Sequence, residues 1–425
     1  MNSTNQKNYT LPIIMMVALF FMISFVTGLQ NPFGVIVKHQ FQATNLMSQL
    51  GNAANFIAYA FMGVPAGMLL QKIGYKKTAL LAIIVGFVGV FISYLSGLAG
   101  SYAVYLTGAF VSGFSMCMLN TVVNPMLNTL GGGGNKGNQL IQVAGSVNSI
   151  GATIVPVLVG YLMGDAAQAT ISDAAPALFL AMGIFALAFI VLISMNIPEP
   201  SLERQHKSSG SSDKHSAFSF RHFILGTVAI FIYVGVEVGI PNFMNLFATS
   251  EELGIDPTTA GSLVGTYWFL MMVGRLCGAS LGARFSSKSM LTLASAVGLV
   301  FILIAIFAPI TTKVSMPVFL SSLSFGMVEV PIGIMFLALC GLCTSIMWGG
   351  IFNLAVEGLG KYTEAASGFF MVMVCGGGIL PLIQGVVADN AGFQASYFVI
   401  LVGLAYLLYY ALIGSKNVNK DIPVD

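Results

Sequence analysis

The chain consists of apolar runs that are too long for the core elements of a soluble protein. A helix crosses the hydrocarbon of a bilayer with about 20 mostly apolar residues. Inside lipid only helices and closed barrels satisfy the backbone, and these runs are too uniform for the alternating strands of a barrel. The sequence therefore predicts an all-α membrane protein with twelve transmembrane helices. We number them spans 1 to 12, at residues 11–37, 46–70, 76–98, 102–127, 139–163, 175–197, 222–248, 258–282, 289–309, 330–354, 364–387 and 392–414.

Composition supports lipid as the main solvent. Of 425 residues, 56% are hydrophobic and only 8% are charged, against about a quarter charged in soluble proteins. This excludes an ordinary cytosolic enzyme. The net charge of +2 and the absence of a basic groove argue against a nucleic-acid partner.

The loops predict the orientation in the membrane. With both termini in the cytoplasm, fourteen Lys and Arg residues lie in cytoplasmic segments, and only Lys38 and Lys313 lie outside. Positive charge favours the inner side. We therefore expect a multi-pass protein of a plasma membrane with both termini cytoplasmic, and the short loops favour a bacterial inner membrane.

The chain repeats itself. The pattern Gly-x4-Pro-x3-Gly occurs at 151–160 in span 5 and again at 376–385 in span 11, an offset of 225 residues. Three more matches occur in the same order, in spans 4 and 10, in spans 1 and 7, and in the loops after spans 2 and 8, with offsets of 229, 207 and 212 residues. Together these repeats predict two pseudo-symmetric six-helix bundles that rock around a substrate near the midplane. The only long polar stretch separates the halves, which gives an N-terminal bundle at 1–198, a cytoplasmic loop at 199–221 and a C-terminal bundle at 222–425.

The loop between spans 2 and 3 reads GMLLQKIGYKK from Gly67 to Lys77. It resembles the loop signature of the major facilitator superfamily, except that Gln71 stands where that signature has an acidic residue. The resemblance implies a gating role for Gly67, Lys72, Gly74 and Lys76. We also consider Arg275 in span 8 as a gate residue or a packing anchor.

A narrower resemblance is to the fucose permease branch, which includes sugar:proton symporters for fucose and transporters for glucose and galactose. The segments that carry it are 117–125 with 130–131, 148–151, 233–238, and 376–378 with Pro381. The resemblance implies import of a neutral, fucose- or hexose-like monosaccharide. The acidic residues expected late in span 1 and in span 4 are missing, since Asn120 stands at the second position. Neither position can bind and release a proton, so the coupling mechanism of the branch cannot simply be transferred.

Glu237 is the one carboxylate deep inside a span. A charge near the bilayer centre costs at least about 2.5 kcal/mol and has to face a cavity or a partner. Burial favours its protonated form, so Glu237 is our candidate coupling residue for proton symport. A structural ion pair with Arg275 is the alternative reading, and a uniporter or a sodium symporter also remains open.

Amide side chains are unusually frequent in the spans that we expect to line the centre. An amide donates and accepts at once, as sugar hydroxyls require, whereas hydrogen bonding between helices is the alternative. Aromatic rings inside spans 8 and 10 could stack on a sugar or simply pack. The candidate substrate-binding residues are Gln30, Asn31, Asn120, Asn124, Gln142, Asn148, Asn242, Asn245, Tyr267, Trp268, Trp348, Asn353 and Gln384.

Catalytic chemistry is not apparent in the sequence. The four histidines lack metal-ligand spacing, and no nucleophile with its base lies at membrane depth. We expect neither an enzyme, nor a cofactor, nor a bound metal, and we expect a monomer. Transport then has to be facilitated or driven by a proton or sodium gradient, with a non-transporting sugar sensor as the competing class.

Overall fold

The computed structural model describes residues 9–131, 134–163, 169–199, 215–281, 285–320, 324–419 and 421–424. Most of the predicted central loop, residues 200–214, lies outside this part. Within it, ten helical segments are long and apolar enough to cross a membrane. Spans 5 and 8, at Gly134–Met163 and Pro257–Leu281, complete the twelve that the sequence predicts.

The first half contains spans 1 to 6, with span 1 in two pieces and spans 2 and 3 joined. Its helices are Thr10–Gly28, Gln30–Gln40, the short Asn45–Ser48, Leu50–Ala99, Tyr102–Leu130, Gly134–Met163 and Ala175–Ser194.

The second half contains spans 7 to 12, with spans 10 and 11 in two pieces each. Its helices are Arg221–Ala248, Pro257–Leu281, Ser287–Phe307, Ile332–Thr344, Met347–Val356, Thr363–Met373, Gly376–Ala391 and Phe393–Tyr409, followed by a π-helical turn at Tyr410–Gly414. Single 3₁₀ turns lie at Ala217–Ser219 and Gly360–Tyr362.

An even number of spans places both chain ends on one side of the bundle, which we call the terminal face. The other side, the opposite face, carries the turns near residues 41–44, 100–101, 169–174 and 249–256.

Gly74 separates spans 2 and 3 on the terminal face. Its φ of 82° and ψ of 177° are open to glycine and strained for other residues. The backbone N–H groups of Tyr75 and Lys76 then begin span 3, and both donate to the carboxylate of Glu199, at the end of span 6. The Lys76 ammonium donates to the carbonyl oxygen of Met195 at 2.6 Å. The loop is therefore fastened to span 6 of its own half.

The two halves approach closely where span 11 meets span 2. A Cβ on Gly378 would lie 2.8 Å from the backbone oxygen of Ala53. A side chain at Gly378 would therefore separate the helices, which explains the glycine at this position.

An antiparallel β-hairpin, β1 Lys313–Phe319 and β2 Phe325–Pro331, joins spans 9 and 10 on the opposite face. The sequence analysis did not predict it and started span 10 at residue 330, whereas the helix begins at Ile332. The Phe319 N–H donates to the hydroxyl of Thr266 on span 8 at 2.9 Å. The Phe319 ring also stacks on Phe269. The hairpin is held by span 8 as well as by its own ladder.

Candidate functional site

A cavity of about 160 Å³ lies between the two halves. Its wall includes Gly28, Ser345 and Val374, each beside the break in spans 1, 10 and 11 respectively. Each break is one or two residues long. Discontinuous helices at such a place are typical of the substrate sites of many secondary transporters. The remaining wall combines amide, aromatic and charged side chains from both halves.

Span 4 provides two linked amides. Asn120 donates from Nδ2 to the hydroxyl oxygen of Tyr59 at 3.0 Å and to the carbonyl oxygen of Met116. Asn124 lies one turn further and donates to the carbonyl oxygen of Asn120 at 3.0 Å and to its Oδ1 at 3.3 Å. The i, i+4 spacing places both on one face, and both line the cavity.

Three more amides reach the cavity from spans 2, 5 and 7. Asn148 donates to the carbonyl oxygen of Phe20 at 2.8 Å. Asn52 donates to the carbonyl oxygen of Gly377 at 2.9 Å, which connects the halves. Asn242 of span 7 lies 2.9 Å from the Gln49 side-chain oxygen of span 2. Asn52 and Asn242 join the two halves, and all three amides face the cavity.

An ion pair lies in the same wall. Arg275 Nη2 is 3.2 Å from Glu237 Oε1, and the two side chains are 12% and 13% exposed. Arg275 Nη1 donates to the carbonyl oxygen of Gly145 at 2.7 Å and to Ser149 Oγ at 2.9 Å, both on span 5. One guanidinium therefore joins a buried carboxylate of the second half to the backbone of the first.

The hydroxyl of Tyr267 contacts the backbone of Glu237 on the side away from the cavity. It donates to the backbone carbonyl oxygen of Glu237 at 3.0 Å and lies 3.0 Å from the Thr344 hydroxyl. The neighbouring Trp268 lines the cavity, as does Trp348. The two tryptophans therefore give the second half an aromatic wall.

Many of the residues that the sequence predicts for the site line this cavity. They are Asn120, Asn124, Gln142, Asn148, Asn242, Trp268, Trp348, Glu237 and Arg275.

Four predicted residues lie away from the cavity in this conformation. Tyr267 and Asn245 are buried behind it. Gln384 donates to Ser396 at 3.4 Å, and Asn353 donates to Ser287 at 3.5 Å. The side chains of Gln30 and Asn31 lie outside the described part of the structure.

Span 2 contributes wall residues that sequence reasoning missed. Asn52, Phe56 and Tyr59 all line the cavity. Their spacing of four and three residues is a helical stripe of one amide and two aromatics, and this stripe was the available signal.

Four of the predicted gate residues lie in the loop around Gly74, whereas Arg275 lies in the cavity wall. Lys72 is exposed, and Gly67 has open space where a Cβ would be. Lys76 and Gly74 contact span 6 of the first half, as described above. Their gating role remains a prediction.

A second set of contacts closes the opposite face. The carboxylate of Asp389 on span 11 accepts the backbone N–H groups of Asn45 and Leu46, each at 3.0 Å. Lys38 donates to Asn45 Oδ1 at 2.7 Å and lies 5.5 Å above the centre of the Phe393 ring. These contacts join the loop after span 1 to spans 11 and 12.

Over the described ranges, no group of three or more His, Cys, Asp or Glu side chains could hold a metal ion. The five cysteines are unpaired thiols.

Comparison with known proteins agrees with this architecture. The chain is 30% identical over 419 residues to the glucose/galactose transporter of Brucella abortus, covering 98% of this chain and 97% of the relative. It is 24% identical to the L-fucose-proton symporter of Escherichia coli over 91% and 89% of the two chains. These relatives are named as transporters and not as enzymes.

Solved structures show the same fold. The MFS transporter FucP in its outward conformation superposes with a TM-score of 0.71 at 21% identity, covering 96% of this chain and all of that one. The twelve-helix prediction and the resemblance to the fucose permease branch are therefore confirmed. Because residues 16–380 match the Major Facilitator Superfamily, the chain belongs to that family.

Proposed function

We propose that the protein is a secondary transporter that imports a neutral monosaccharide by alternating access. The cavity between the halves carries this proposal, because its amides and tryptophans match the hydroxyls and the apolar face of a hexose. The names of the relatives support a fucose- or hexose-like substrate. Both charges in the wall belong to one ion pair, which favours a neutral ligand.

Glu237 is the proposed proton-coupling residue. Paired with Arg275, its carboxylate helps to hold a guanidinium that also binds span 5. Protonation would remove the charge partner and weaken this contact between the halves. Proton binding would therefore favour movement of one half against the other. A sodium symporter or a uniporter is the alternative within transport.

Uptake by proteoliposomes tests the proposal. Radiolabelled hexoses and deoxyhexoses are offered with an imposed pH gradient, with a sodium gradient, and with neither. We expect accumulation only with the pH gradient. Accumulation driven by sodium at constant pH would support the sodium symporter, and flux without accumulation would support the uniporter. Binding without flux would identify a sensor.

The variant Glu237→Gln tests coupling, with the exposed Glu251→Gln as its control. We expect Glu237→Gln to keep sugar exchange but to lose accumulation, whereas the control keeps both. Full accumulation by Glu237→Gln would remove the coupling role. Failure of all sugars to bind or cross would overturn the sugar proposal itself.

We further propose that the terminal face is cytoplasmic and that the protein acts as a monomer in a bacterial inner membrane. The excess of fourteen cations against two supports this orientation. A reporter that fluoresces only in the cytoplasm, fused after residue 425, is expected to be bright. Light scattering of the detergent complex is expected to give the mass of one chain.

A further inference from the structure

We infer that the side-chain oxygens of Asn124 and Asn148 in the first half accept hydrogen bonds from the ligand, so that two ligand hydroxyls bind there as donors. This inference rests on the proposed monosaccharide function. It specifies which hydrogen-bonding groups of that site contact the substrate. It depends on which end of each wall amide is already occupied by the protein.

Backbone carbonyl groups fix the orientation of three wall amides. The side-chain nitrogens of Asn52, Asn124 and Asn148 donate to the carbonyl oxygens of Gly377, Asn120 and Phe20, at 2.9, 3.0 and 2.8 Å. A carbonyl oxygen only accepts, so none of these amides can be turned round without losing its bond. The orientation of Asn242 is less constrained, because its partner is another amide.

The fixed orientation leaves the oxygen of each amide without a donor. Asn124 uses both of its N–H groups in bonds to Asn120, whereas Asn52 and Asn148 each use one of two. Among the described residues, no donor reaches Oδ1 of Asn124 or Asn148, both of which are half-buried in the cavity wall. Oδ1 of Asn52 is fully buried and has no partner in the part of the chain that the structure describes. A buried acceptor without a donor is unfavourable. Donors supplied by a ligand, directly or after the halves move, would satisfy these oxygens.

Asn120 has a different role. It donates to Tyr59 and Met116 and accepts from Asn124, so its hydrogen-bonding groups are occupied. We assign it as a positioning residue for Asn124 and Tyr59.

The second half adds one donor beside the pair of Glu237 and Arg275. Nε1 of Trp268 is a donor and has no partner in the described structure. Its ring and that of Trp348 give the cavity apolar faces. A sugar would therefore turn its donating hydroxyl edge toward spans 2, 4 and 5, and its ring face toward spans 8 and 10.

Analogues of the sugar separate donation from acceptance. Replacing a hydroxyl by fluorine or a methoxy group keeps an acceptor and removes the donor, whereas a deoxy position has neither. At the positions that face Asn124 and Asn148, we expect fluoro, methoxy and deoxy analogues to bind about equally badly. The loss should be roughly tenfold, the value of one neutral hydrogen bond.

The experiment is competition binding to the purified full-length protein. A radiolabelled hexose that binds is displaced by its mono-deoxy, mono-deoxyfluoro and mono-O-methyl analogues at each ring position. The expected result is at least two positions where the fluoro analogue is as weak as the deoxy analogue. Deoxyfluoro analogues that bind like the parent at every position where deoxygenation weakens binding would overturn the inference. So would deoxy analogues that all bind like the parent.

Two variants assign the positions. In Asn124→Leu and Asn148→Leu, we expect weaker binding of the parent and no further loss for the deoxy analogue at one ring position each. The control Asn390→Leu alters an exposed amide that bonds only within its own helix, and should keep the wild-type pattern. An unchanged pattern in both cavity variants would contradict the assignment. The wild-type panel remains decisive if a variant does not fold.

The outcomes distinguish the two proposals. If no hexose binds the protein, both the monosaccharide function and this inference fail. If hexoses bind but the fluorinated analogues retain affinity as described, the monosaccharide function stands. The inference that wall oxygens accept hydrogen bonds from ligand hydroxyls then fails.

Discussion

Arg275 on span 8 donates a 2.7 Å hydrogen bond to the backbone carbonyl oxygen of Gly145 on span 5, in the other half of the molecule. The same guanidinium is paired with Glu237. One guanidinium therefore contacts both a carboxylate of its own half and the backbone of the other. Because Gly145 contributes only a backbone oxygen, the sequence gives no side-chain signal for this partner.

The first prediction concerns this ion pair. Arg275→Gln leaves the carboxylate of Glu237 buried without its cation, which should reduce the free energy of unfolding by about 3 kcal/mol. The double variant with Glu237→Gln removes both charges and should be more stable than Arg275→Gln alone. Thermal unfolding of the purified proteins measures both. The exposed Arg221→Gln is the control, and a double variant less stable than the single one would contradict the argument.

Two glycines of the loop signature provide a second prediction. Gly74→Ala should destabilise the protein by about 1–3 kcal/mol, because φ is 82° and the new Cβ would collide with Glu199. Gly67→Ala should be tolerated, because nothing lies within 4 Å of the position its Cβ would take. Yield of folded protein and its unfolding temperature compare the two. Equal losses would show that the signature is not constrained by local geometry.

The spans could be predicted from the sequence because lipid requires long apolar helices. The hairpin at residues 313–331 could not, because strand pairing and contact with Thr266 depend on tertiary structure. The helix breaks were equally hidden. The sequence shows glycines near residue 376, but it does not show that span 11 is interrupted there while the glycine-containing span 4 continues.

The residue types of the site could be predicted better than the particular residues that line the cavity. Asn242 and Asn245 are three residues apart on span 7, yet only Asn242 lines the cavity. Their composition and spacing are compatible with either outcome, since the packing of span 7 decides which faces the centre. Asn52 was missed because its role becomes clear only when Gly377 of the other half is in place.

The hairpin gives a third prediction. Thr266→Val keeps the shape of the side chain but removes the hydroxyl that accepts the Phe319 N–H. An unsatisfied N–H beside span 8 should cost about 1–3 kcal/mol in unfolding free energy. Thr292→Val is the matched control, because that hydroxyl donates within its own helix at an exposed site. Similar unfolding temperatures for both variants would mean that the bond does not hold the hairpin.

The last prediction concerns closure of the opposite face. Asp389 accepts two backbone N–H groups from the other half, so Asp389→Ala should favour opening of this face. Hydrogen bonds to a charged group contribute about 1.5–3 kcal/mol each when shielded. Asp389 is exposed, so we expect the smaller effect of a roughly tenfold population shift.

Thiol labelling measures this shift. A cysteine at the cavity residue Val238, with the exposed Cys277 changed to serine, is treated in whole cells with a membrane-impermeant maleimide. Labelling should be about tenfold faster in Asp389→Ala. Asp173→Asn is the control. Hydrogen bonds from Thr170 in its own loop lower the pKa of Asp173, and these bonds lie within the first half. Unchanged labelling in Asp389→Ala would show that the remaining contacts, such as the one between Asn52 and Gly377, suffice to keep this face closed.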